Sequence, residues 1–135
     1  MEKASKILVF IFFLGVAYLA WSVLNYSSES KAESIDLKMV VAGPSMLPTL
    51  HEGDYVHYAE TNPLVGDIVI FTCRSERCLK SNGELFIKRV SEISGDCYTF
   101  LGDNPEMSTD SRSFGPLCGN EAEIEGVVTS IELSR

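Results

Sequence analysis

The sequence predicts a mostly β domain carried on one N-terminal transmembrane helix, on three observations. An 18-residue run, Ile7 to Leu24, holds no charged side chain. A polar stretch rich in Ser and Glu follows it. Beyond that, short apolar segments alternate with Gly, Pro, Asn and Asp, as strands and turns do, and no run in this part keeps a good helical period.

Residues 1–6 read as a cytoplasmic N-terminus and residues 7–24 as the anchor. At about 1.5 Å of rise per residue the run makes a helix of roughly 27 Å, close to the ~30 Å of a bilayer's hydrocarbon core. It exceeds the usual signal-peptide core of about 7–15 residues, so a retained anchor is expected rather than a cleaved leader. Tyr18, Trp21 and Tyr26 cluster at its C-terminal end, where interfacial aromatics sit. Lys3 and Lys6 precede the run, and Lys31 follows it beside Glu29 and Glu33. The positive-inside rule then places the N-terminus in the cytoplasm and the remainder outside, making a single-pass plasma-membrane protein. Residues 25–36 read as a linker. Residues 37–135 read as an extracytoplasmic β-rich domain, with strands predicted at Leu37–Ala42, Tyr55–Tyr58, Asp67–Thr72, Leu85–Ile93, Tyr98–Leu101 and Ile124–Leu133.

A net charge of −8 argues against nucleic acid as a partner, because phosphate binding needs clustered Lys and Arg. Membrane lipid is the partner the apolar run implies. The four cysteines, Cys73, Cys78, Cys97 and Cys118, form an even set in an external domain and suggest two disulfides. Cys73 and Cys78 bracket Arg-Ser-Glu-Arg and can close a small loop, which would leave Cys97 with Cys118; spacing alone does not choose among the three pairings. No C-x-x-C pair occurs, so no metal is expected, and no cofactor motif is present.

Four segments of the domain stand out together. In Gly43-Pro44-Ser45-Met46-Leu47-Pro48-Thr49-Leu50, prolines and a glycine flank a serine just after a predicted strand. Such a segment is stiff, cannot continue a sheet, and can present a hydroxyl in a fixed direction. Gly66-Asp67-Ile68-Val69-Ile70-Phe71 reads as a turn entering a buried strand. In Phe86-Ile87-Lys88-Arg89-Val90, strand alternation places Phe86, Lys88 and Val90 on one face and Ile87 and Arg89 on the other. A lysine between two large apolar neighbours is a candidate for burial, which favours the neutral amine. A neutral amine can take a proton from a serine hydroxyl. The fourth segment runs from Gly102-Asp103-Asn104-Pro105 through Ser108, Asp110, Ser111 and Arg112 to Phe114-Gly115-Pro116. It reads as a loop whose short polar side chains form a hydrogen-bonded shelf, with Asp110 and Arg112 paired.

These segments, in this order behind an N-terminal anchor, resemble the type I signal peptidases of the minimal bacterial or organellar type. The likeness rests on PSMLPTL, GDIVIF, IKRV followed by SGD, GDNPEMSTDSRSFGP, and Ile124-Glu125-Gly126. It implies a mostly β, signal-peptidase-like fold and proteolysis by a Ser/Lys pair. Position by position, it implies Ser45 as the acylating nucleophile and Lys88 as general base. Ser108 is then the hydroxyl that positions the lysine, with Asp110 and Arg112 as supporting residues. The Ser45 backbone N–H contributes to the oxyanion hole, and Gly43, Pro44 and Met46 border the substrate groove. Preprotein signal peptides with small residues before the cut are the implied substrates.

Three positions depart from the family's pattern: Gly43, where many members carry a serine that donates to the oxyanion, and Pro105 and Ser94 near the two Gly-Asp turns. The large inserted second domain of some members is expected to be absent. His51 and His57 invite a Ser-His-Asp reading, but the ordered motifs supply a lysine in the base's role. Two other readings stay open: a dedicated maturation peptidase for one pilin, conjugation or metalloenzyme precursor, and a non-catalytic, membrane-tethered peptide-binding module. A self-cleaving repressor with a related Ser/Lys site is disfavoured by the anchor and by the absence of a DNA-binding segment.

Overall fold

The strands expected from the sequence recur in the three-dimensional structure with small shifts at their ends. The computed structural model describes residues 14–21, 37–78 and 84–134, and the chain divides into two units, Met1–Glu33 and Ser34–Arg135. In the first unit, residues 14–21 are helical and exposed, with the Tyr18 and Trp21 rings 6.3 Å apart. Among the described residues no helix is long and apolar enough to cross a membrane. The rest of the expected anchor at 7–24, the N-terminal segment 1–6 and the linker 25–36 lie outside the described residues.

The second unit is built on β1 (Leu37–Val40), β2 (Tyr55–Ala59), β3 (Ile68–Cys73), β4 (Leu85–Ser94), β5 (Cys97–Leu101), β6 (Leu117–Cys118) and β7 (Ala122–Glu132). They form one sheet in the order β1-β2-β7-β3-β4-β5-β6, every pairing antiparallel. The six predicted strands are all present, with ends displaced by at most two residues. β7 starts two residues early, at Ala122 rather than Ile124, and β1 stops two early, at Val40 where Leu37–Ala42 was expected. There the chain leaves the edge: Val41 is buried, and Gly43 turns it at φ 82°. β6 was not foreseen, because two residues between Pro116 and Gly119 carry no alternation to read.

The last strand, β7, is inserted between β2 and β3 and so ties the first part of the domain to the second. A side chain at Gly126 would defeat this: a Cβ there would lie 2.7 Å from the Ala59 carbonyl oxygen on β2. Only glycine permits that backbone approach.

β3 is buried on both faces, as its continuous apolar run suggests. Val69, Phe71 and Cys73 enter one hydrophobic cluster, and Ile68 and Ile70 enter another. The first cluster is aromatic, with Phe71 stacked on Phe100 at 4.0 Å and on Phe86 at 5.4 Å between ring centroids. Stacking of this kind adds about 0.5–1.5 kcal/mol beyond the area buried. The second holds Val41, Met46, Leu50, Val56 and Ile87. Disulfides join Cys73 to Cys78 and Cys97 to Cys118, the latter across facing positions of β5 and β6. Arg77, inside the smaller loop, donates to Phe114 O and Pro116 O and pairs with Glu121, fastening that loop to the segment before β6.

Candidate active site

The serine of the first segment is presented by its own neighbours. After the turn at Gly43, Leu47 N donates to Pro44 O and Leu50 N to Met46 O, coiling the segment into consecutive turns, with a cis Leu47–Pro48 bond. Met46 and Leu50 are both fully buried in the second cluster. The turn therefore sends Met46 into the core and leaves Ser45 facing the other way. Met46, expected at the groove, is a core residue: turn geometry rather than strand alternation decides where it points.

Lys88 reaches the same place from β4, opposite Val69 of β3. Its side chain is only 4% exposed, and Nζ lies 2.9 Å from Ser45 Oγ. Nζ also donates to Ile87 O at 3.1 Å and stands 5.7 Å from the Phe86 ring centroid. Burial pulls the amine down from 10.5 to about 8, although the charges of Asp110 and Glu84 pull the other way.

The fourth segment closes over this pair. Asp110 is fully buried and accepts from Ser108 Oγ (2.6 Å), Gly102 N (2.8 Å), Arg112 N (3.0 Å) and Arg112 Nη1 (2.7 Å). Burial disfavours its charge, but these donors and the guanidinium outweigh it and hold the carboxyl below its ordinary range. Arg112 Nη2 also donates to Gly102 O, and the short helix Ser111–Phe114 is capped by Asp110. The Ser108 hydroxyl is thus engaged with Asp110, and the lysine's own bonds run to Ser45 and Ile87. Gly102 must be glycine, because a Cβ there would sit 2.6 Å from the Ser45 carbonyl oxygen and against the Ser108 side chain.

Several residues of the site were not singled out from the sequence. Asn104 clamps the serine segment twice, its N–H to Ser45 O at 3.0 Å and its Nδ2 to Pro44 O at 3.1 Å. Arg89 donates from Nε and Nη2 to Asp103 at 2.9 and 2.6 Å, and Thr49 Oγ1 donates to the same carboxylate at 2.5 Å. The strand bearing the amine is thereby tied to the segment bearing the hydroxyl. The signal was present as a Gly-Asp-Asn turn and an arginine next to the lysine, but these pairs lie up to 60 positions apart.

Ser45 and Lys88 open into a groove of about 320 Å³, bordered by Met39, Val40, Gly43 and Pro44 on one side and by Glu84 to Ile87 on the other. A larger cleft of about 640 Å³, lined by Glu60, Thr61, Glu123 and Glu125 among others, contains neither Ser45 nor Lys88. No histidine borders the groove: His51 lies 3.7 Å from Asp54, and His57 lies 3.6 Å from Glu132.

A hydroxyl held 2.9 Å from a buried amine and bordering a groove is an arrangement able to exchange a proton. Comparison with known proteins points to a peptidase. The family described as Peptidase S24-like matches residues 18–129. A mitochondrial ATP-independent inner membrane protease subunit 1b from Arabidopsis thaliana is 32% identical, over 56% of this chain and 58% of that protein. The chain thus spans less than two thirds of that relative's length.

Proposed function

We propose that this chain, which belongs to the Peptidase S24-like family, is a membrane-anchored serine endopeptidase that cleaves signal peptides from exported preproteins. The observation that carries the reading is the 2.9 Å contact between Ser45 Oγ and the buried Lys88 amine at the end of a groove.

In the proposed reaction, neutral Lys88 takes the Ser45 proton while Oγ attacks the scissile carbonyl. The Ser45 N–H donates to the oxyanion. The lysine proton passes to the departing amine as the C–N bond breaks, leaving an ester on Ser45. Lys88 then accepts a proton from the water that attacks the ester, and returns it to Ser45 Oγ as the ester C–O bond breaks and the acid leaves. Asp110 helps the amine carry the transient positive charge. Ser108 is a positioning residue that acts through Asp110. Substrate lies extended in the groove beside β4 and the chain leaving β1. The anchor at 7–24, with the N-terminus cytoplasmic, holds enzyme and substrate at one membrane, where local concentration raises encounter.

Cleavage of a precursor with an Ala-x-Ala site, together with labelling by an acylating inhibitor, tests this. Ser45→Ala should lose both product and label, and Lys88→Ala should lose product. A folded wild-type domain that neither cleaves nor labels supports the peptide-binding module instead. Activity kept in Lys88→Ala and lost in His57→Ala would move the base to histidine.

A further inference from the structure

The groove carries one carboxylate, Glu84, whose charge is felt by the Lys88 amine. Glu84 borders it together with Leu85, Phe86, Ile87 and Lys88, directly ahead of β4. Glu84 lies four positions before Lys88, a backbone span of roughly 13 Å along an extended chain. Glu84 is exposed. Across the groove stand Met39, Val40, Ala42, Gly43 and Pro44, none of which carries a charge. Among the described groove residues, Glu84 is therefore the one anionic side chain, and Lys88, committed to Ser45, the one basic side chain.

We propose that Glu84 is a specificity-determining residue that selects substrates with a lysine or arginine about four residues from the cleaved bond. The inference rests on the endopeptidase reading above. An extended peptide advances about 3.3 Å per residue, so a side chain four positions from the bond at Ser45 arrives beside Glu84. A basic side chain there gains an ion pair that its neutral counterpart lacks, and an acidic one meets a like charge. The groove is open to solvent at this end, so the gain is that of an exposed pair, about two- to fivefold in kcat/KM. It should fade at high salt, where the screening length contracts to about 3 Å.

The test uses the full chain in detergent and a set of Ala-x-Ala peptides with Lys, Gln or Glu placed in turn three to five residues on either side of the cut. Wild type should prefer Lys over Glu at one position about four residues away, and the preference should collapse in about 1 M salt. Glu84→Gln should erase the Lys/Glu ratio, and Glu84→Lys should invert it. Glu92→Gln, an exposed carboxylate further along β4, controls for the protein's overall negative charge and should leave the ratio intact. Cleavage with no charge preference at any position, or a preference unchanged in Glu84→Gln, overturns the proposal. No cleavage and no Ser45 labelling by wild type overturns the endopeptidase reading instead.

Discussion

Lowering the pH should switch this site off well above the range in which histidine titrates. Burial holds the Lys88 amine at about 8 against an ordinary 10.5. At ~1.4 kcal/mol per pH unit, keeping the ammonium form in the groove costs roughly 3 kcal/mol. The neutral amine is then about half the population at pH 8 and about one tenth at pH 7. Steady-state cleavage of an Ala-x-Ala peptide should show kcat/KM falling about tenfold per pH unit below about pH 7 and levelling off above about pH 9. The same burial has a consequence for stability. The native pKa lies below the unfolded one, so the native state binds fewer protons between about 8 and 10.5, and stability rises with pH across that window. Lys88→Met should therefore abolish cleavage yet stabilise the domain at pH 7, by up to roughly 3 kcal/mol in chemical denaturation. That gain should disappear as the pH passes 10.5. A flat activity profile, an inflection near 6.5 that persists in Lys88→Ala, or a Lys88→Met domain less stable than wild type at pH 7 would refute the reasoning.

Two further substitutions probe how the pair is held. Gly102→Ala places a Cβ 2.6 Å from Ser45 O; it should destabilise the domain by about 1–3 kcal/mol, and kcat should fall more than KM rises. Asn104→Ala removes the bond from Nδ2 to Pro44 O but keeps the backbone bond to Ser45 O. It should cost about 1 kcal/mol in thermal unfolding and lower kcat, with the pH profile unmoved.

The parts of this domain that were legible in the sequence are those with a local cause. β3 and β4 could be read because apolar side chains recur on a strand's period or fill it entirely. Gly126 and Gly102 could be noticed as motif glycines, but their reasons, the Ala59 and Ser45 carbonyl oxygens, are contacts across distant chain. Nothing local pairs Arg89 with Asp103, or Asn104 with Pro44, because each bond exists only after the sheet has formed. Met46 was misplaced for a related reason, since a turn has no period from which to infer direction. Glu84 was passed over because a lone exposed carboxylate acquires meaning only from the wall it joins.

What the sequence could not express is how the 2.9 Å separation is maintained, and the packing supplies the cause. Met46 follows the hydroxyl in the chain and Ile87 precedes the amine, and both are buried in the same hydrophobic cluster. Each reactive residue thus has an immediate neighbour anchored in a shared core. That core is close-packed, so neither anchor can shift without opening a void. Arg89, the residue on the other side of the amine, is bound to Asp103, which also holds Thr49. The two segments are therefore locked together twice, once by apolar packing beneath the pair and once by polar contacts beside it. Such a scaffold leaves the hydroxyl and amine little freedom to move apart, which is the preorganisation the proposed acyl transfer requires.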